Sequence, residues 1–125
     1  MKAIEIVPGK AIGDLKIGTR VDELPPKAVL SGIRGSLAGI QFLIANGIVD
    51  DVWIDDLRTF RGELHFTGKA IDRRTPLEEL KALFGPCDSV PGIKGGAFFN
   101  CHAGVTLGSD ASGLGEFVQI RLKPR

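Results

Sequence analysis

The chain has 125 residues, 43% of them hydrophobic, and its 16 Lys and Arg nearly balance 15 Asp and Glu, leaving a formal net charge of +1. That length and apolar content suit a single domain over 1–125, with a core large enough to need neither metal nor disulfide. The near-zero charge excludes a global field that would draw in nucleic acid or an anionic membrane, so any electrostatic partner must be read by a local patch.

Taken in chain order, the opening "MKAIEIVPGKAIGDLKIG" offers only short apolar pieces, cut by Glu5, Pro8 and Gly9. This predicts neither a signal peptide nor a membrane span, and the expected location is cytoplasmic. "KAIEIV" reads as one strand. Thr19 and Asp22 in "TRVDEL" then resemble a helix start, which Pro25-Pro26 limits to about two turns. "LAGIQFLIANGIVDDVWI" carries Asn46-Gly47 between two β-rich runs, a strong hairpin signal. "GELHFTGKAI" reads as one further strand. In "TPLEEL", Thr75 is placed as N-cap, Pro76 at the first helical position and Glu78 as the far side of a capping box. Leu77, Leu80, Ala82, Leu83 and Phe84 form an apolar stripe, and Gly85-Pro86 ends it, so a helix is expected over 76–84. "GAFFNCHAGVTLGSD" turns near His102–Gly104, and "GEFVQIRL" supplies a last strand.

Several phrases occur twice in the same order. "GKAI" stands at 9–12 and 68–71, the two helix starts at 19–24 and 75–80, and "GIRG" and "GIKG" at 32–35 and 92–95. Internal repeats at about 2–58 and 61–125 follow from this. The glycine pairs Gly32/Gly35 and Gly92/Gly95 suit a backbone bend where the chain enters the sheet. The expected fold class is α+β: an antiparallel sheet of about six to eight strands with two helices on one face, built from two tandem repeats.

Candidate chemistry is sparse. Cys87 and Cys101 fit no zinc spacing and read as two semi-buried thiols. Cys101 and His102 invite a nucleophile-base reading, but neighbours on a strand point to opposite faces, and His65 is the only other histidine. "SDASGLGE" at 109–116 lacks the alternating carboxylates of a calcium loop and reads as a solvated turn. Arg58, Arg61, Arg73 and Arg74 lack the interleaved aromatics that stack bases. No metal site and no cofactor are expected.

The most informative stretch is "VDDVWIDD" at 49–56, with four carboxylates, no basic residue and the only Trp. Alternation puts Val52 and Ile54 on one face and Asp51, Trp53 and Asp55 on the other. With the aliphatic pair turned to the helices, Trp53 is displayed between acids, the composition of a binding hot spot for a basic protein. The competing reading packs Trp53 in the core and leaves the acids solvated. "FVQIRLKPR" aligns Val118 with Val52 and Ile120 with Ile54, and its intervening positions, Phe117, Gln119 and Arg121, differ from the acidic ones.

"KIGTRVDEL" and "TPLEELKALFGPCD" resemble the helix opening of the small outer-membrane assembly lipoproteins of the BamE/SmpA type, and a tandem of helix-plus-sheet units is similar to the β-lactamase inhibitor proteins. The resemblance implies a fold and a habit of binding proteins, and no catalytic residues. The style is that of an immunity protein. The expectation is therefore a non-enzymatic protein-binding module, an inhibitor or immunity protein neutralising a toxin or enzyme, with partner-binding residues Trp53, Asp50, Asp51, Asp55 and Asp56 and a basic protein partner. Two alternatives stand beside it. One is a small enzyme or ligand-binding domain with a pocket near Cys101 and His102, and the other is a structural homodimer through the uncovered sheet face.

Overall fold

The computed structural model describes residues 3–57, 59–72, 74–91, 97–109 and 118–122. Gly92 and Gly95, Arg58, Arg73, Phe117 and the "SDASGLGE" turn beyond Ser109 lie outside the described residues.

The chain opens with three short strands, β1 (Ile4–Val7), β2 (Ala11–Ile12) and β3 (Leu15–Lys16), and then makes a three-residue 3-10 turn at Val21–Glu23. An antiparallel meander follows, formed by β4 (Val29–Ser31), β5 (Arg34–Leu37), β6 (Ile40–Ala45) and β7 (Ile48–Ile54). After it come β8 (Leu64–Phe66), β9 (Lys69–Ile71) and the helix α1 (Leu77–Phe84). A second meander is formed by β10 (Cys87–Pro91), β11 (Ala97–Cys101), β12 (Val105–Ser109) and β13 (Val118–Arg121).

The meanders join through their last strands. β13 runs antiparallel to β7 with Ile120 opposite Ile54, giving an eight-stranded sheet in the order β10-β11-β12-β13-β7-β6-β5-β4. Two three-stranded sheets, β1-β2-β3 and β1-β8-β9, share β1, which pairs β8 in parallel with Ile4 opposite Leu64.

This overturns the expected two helices on one face of a single sheet. Three sheets are present, and α1 is the one α-helix among the described residues. At the first helix start the chain manages only the 3-10 turn, after which Leu24 is already extended at ψ 150. The residue before a proline is pushed out of the helical region, and Pro25-Pro26 makes that restriction immediate. "GELHFTGKAI" is a hairpin rather than one strand, turning at Thr67-Gly68 with φ 49 and 83. The cap of α1 also differs: Pro76 is the N-cap, and the Thr75 hydroxyl accepts the Asp72 N–H at 3.0 Å instead of capping the helix. Asn46-Gly47 turns β6 into β7 with φ 54 and 77, the two left-handed residues that a tight hairpin requires.

The eight-stranded sheet is two-faced. One inner row reads Leu30, Gly35, Phe42 and Val52 across the first meander and Val105, Cys101 and Cys87 across the second. Leu122, whose N–H donates to the Val52 carbonyl, links the two. Phe42, Val52, Leu122 and Val105 are fully buried, and they join Ile6, Ile12 and Leu15 from the small sheets and Leu80 and Phe84 from α1 in one core. Leu80 and Phe84 are four residues apart, one turn of the same helix face, which is why this short helix docks at all. Gly35 makes room for the Phe42 ring, since a Cβ there would stand 2.4 Å from its Cζ.

Candidate functional site

The opposite face carries a row of another character. Val29, Ser36, Gln41, Trp53, register position Arg121, Thr106, Asn100 and Asp88 lie across all eight strands, one residue per strand. Alternation therefore separates an apolar row from a row of hydrogen-bonding residues with one aromatic. The Thr106 hydroxyl donates to Asn100 Oδ1 at 3.1 Å, and Asp88 Oδ2 lies 3.0 Å from His102 Nε2.

Trp53 occupies the middle of this row and is 3% exposed. The expected display of its indole as a partner's anchor is thereby corrected: the outer face is closed at its centre, where Asp51 and Thr106 are buried as well. The indole N–H donates to Asp55 Oδ1 at 2.7 Å, and the Arg34 guanidinium stands 5.8 Å from the ring centroid. Trp53 acts as a floor that holds the carboxylate of Asp55 at the strand's end.

The acids do not form one patch. Between Leu43 and Ile44 the β6–β7 register shifts: Leu43 faces Asp51, but Ile44 faces Val49, so Asp50 is the extra residue of a β-bulge. Asp50 is half-buried at this kink and Asp51 is buried beside it, while Asp55 is exposed and Asp56 half-buried where the chain leaves β7. Asp55 and Asp56 come together with residues that sequence reasoning missed. They line a groove of about 740 Å³ with Gln41, Gly39, Phe60, Arg61 and Ile4.

Glycines set the shape of that groove. A Cβ on Gly62 would meet the Phe60 ring at 2.6 Å and Ile4 at 2.7 Å, and one on Gly39 would meet the ring's other end at 3.3 Å. The Phe60 ring thus lies against backbone on two sides, in the groove that Asp55 and Asp56 also line. In sequence the only pointer to it was "RTFRGE", where an aromatic stands two residues before a glycine. The groove therefore brings together two carboxylates, the cation of Arg61 and one aromatic ring.

The thiol reading is also corrected. Cys87 and Cys101 face each other on β10 and β11 and form a disulfide, so neither has a thiolate to attack with. Cys101 is buried at the end of β11, and His102 is exposed in the turn that follows. His65 sits on β8 near Glu63 at 3.2 Å, and neither histidine lines the groove. Among the described residues no group of three His, Cys, Asp or Glu could hold a metal ion, and no helix is long and apolar enough to cross a membrane.

No protein-family model, curated protein or solved structure matches the chain.

Proposed function

We propose that the chain is a non-enzymatic protein-binding module of the inhibitor or immunity type, which takes a basic side chain of its partner into the groove at Asp55 and Asp56. The observation that carries this reading is the groove itself: two carboxylates at the end of β7, one held by the Trp53 indole at 2.7 Å, share its lining with Arg61 and with a Phe60 ring seated against Gly39 and Gly62. A Lys or Arg has both a charged head and an apolar stem, and this geometry offers a match for each. The resemblance of "TPLEELKALFGPCD" to the helix opening of a protein-binding family supports the same reading. The roles differ from those expected: Asp55 and Asp56 make the contact, Trp53 positions Asp55, and Asp50 and Asp51 contribute field from the bulge behind them.

The disulfide favours an oxidising compartment over the cytoplasm as the working environment, because structural disulfides persist where thiols are not kept reduced. Alkylation of the protein taken from its native cells, without reductant, tests this: labelled Cys87 and Cys101 would return it to the cytoplasm.

The function is tested by affinity capture on the immobilised chain. The expected result is a protein retained by the wild type, lost from the Asp55→Lys/Asp56→Lys variant, retained by Asp88→Lys at the far end of the row, and inhibited when the wild type is added to its activity assay. Equal retention by all three chains would remove the groove from the interface, and turnover of a small substrate by the chain alone would overturn the non-enzymatic reading.

A further inference from the structure

The eight-stranded sheet ends in two unlike edges, β10 and β4. β10 is bounded by Pro86 and Pro91 and is bonded to β11 through Cys87–Cys101. Proline supplies no N–H to an added strand, so this edge is blunted in a common way. β4 has no such protection: Val29, Leu30 and Ser31 include neither proline nor charge, and all three are exposed.

Its side chains are apolar on both faces. Val29 ends the outer row at 66% exposure, Leu30 ends the inner row at 45%, and Ile33 at the hairpin tip is 67% exposed. Apolar residues on both faces are the pattern of an interior strand, yet β4 lies at an edge. Such an edge presents unpaired N–H and C=O groups together with surface that gains from burial.

We propose that β4 is a strand-addition edge that takes an extended acidic segment of another protein as a ninth strand. Charge selects this occupant. From residue 25 to residue 45 the only charged residues are Lys27 and Arg34, both basic and both exposed; the Arg34 guanidinium stands 5.8 Å from the ring of Trp53 on β7, which leaves Lys27 as the cation beside β4. A second copy paired antiparallel about Leu30 would offer Lys27 no carboxylate, since residues 25–45 contain none. Val29, Leu30 and Ile33 are also too few to bury the roughly 1,000 Å² that a stable dimer needs. An extended segment with alternating apolar and acidic residues meets the backbone edge, the apolar side chains and Lys27 at once. The proposal is independent of the groove at Asp55 and Asp56.

The test is a titration of the full chain with a synthetic alternating Glu-Val hexapeptide, followed by backbone amide NMR, with an alternating Lys-Val hexapeptide as control. The expected result is saturable shifts concentrated on residues 28–33 with the Glu-Val peptide and none with Lys-Val. Lys27→Glu should weaken Glu-Val binding about fivefold, the scale of exposed ion pairs, and Leu30→Pro should abolish it with the remaining amide spectrum retained. Lys27→Glu covers the case in which Leu30→Pro does not fold. Equal response to both peptides, no saturable shift, or a doubling of mass of the chain alone that Leu30→Pro reverses would each overturn the proposal, the last by giving the edge to a second copy.

Discussion

Trp53→Ala separates a buried floor from a displayed anchor. At 3% exposure, Trp53 lies between Gln41 and the register position of Arg121, with Arg34 over its ring. Truncating a buried aromatic costs about 3–5 kcal/mol, through lost transfer energy and the cavity left behind. The broken bond to Asp55 adds little, because the exposed carboxylate recovers water. Trp53→Phe keeps most of the buried area and loses only the N–H, so about 1–2 kcal/mol is expected. Urea unfolding followed by far-UV circular dichroism measures both variants without needing the fluorophore that the substitution removes. In the wild type this single Trp should emit at short wavelength and resist collisional quenching. A displayed hot-spot residue would behave in the opposite way, with unfolding nearly unchanged and affinity strongly reduced. A Trp53→Ala chain destabilised by less than about 1 kcal/mol, with unchanged denaturant slope, would refute the assignment of Trp53 to the interior.

Other perturbations follow from single contacts. Gly35→Ala puts a methyl 2.4 Å from the Phe42 ring and 2.9 Å from the Val29 carbonyl, and Phe42 has no free space; the melt should fall by the equivalent of about 1–3 kcal/mol, and an unchanged melt would show that the ring can move. Gly62→Ala puts a methyl 2.6 Å from the Phe60 ring and displaces it, so partner affinity should fall more than stability does, as titration calorimetry and unfolding would show together. Replacing both Cys87 and Cys101 by Ala, which stand 14 positions apart, should cost about 3 kcal/mol in unfolding experiments, the loop-closure value for such a separation. Thr67 holds φ 49, costly for a β-branched residue, and Thr67→Asn should raise stability by about 1 kcal/mol in the same assay.

What could be read from the residues was mostly local. The apolar stripe of Leu77, Leu80 and Phe84 marked α1, and Asn46-Gly47 marked its hairpin, because both depend on neighbours within a few positions. The first helix failed against a competing local rule, with Pro25-Pro26 outweighing the Thr19 and Asp22 signal. Two-residue strands such as β2 and β3 carry too little pattern to be seen; β2 exists because β1 offers it a ladder, and β3 because β2 does. Alternation placed Trp53 on the face opposite Val52 and Ile54, but a strand's period does not say what closes over that face. The bulge at Asp50 and the meeting of Cys87 with Cys101 are matters of register between strands, which only the folded pairing decides. The groove is assembled from a turn at Gly39, the end of β7 and the segment around Phe60, so it was visible in no single stretch.

The decisive measurement is calorimetric titration of the captured partner into the wild type and into Asp55→Asn/Asp56→Asn, across a range of salt. Neutralising the two groove acids should raise Kd by more than about tenfold and flatten its salt dependence, with the thermal melt unchanged. The same Kd and the same salt slope in both chains would contradict recognition of a basic partner at this groove.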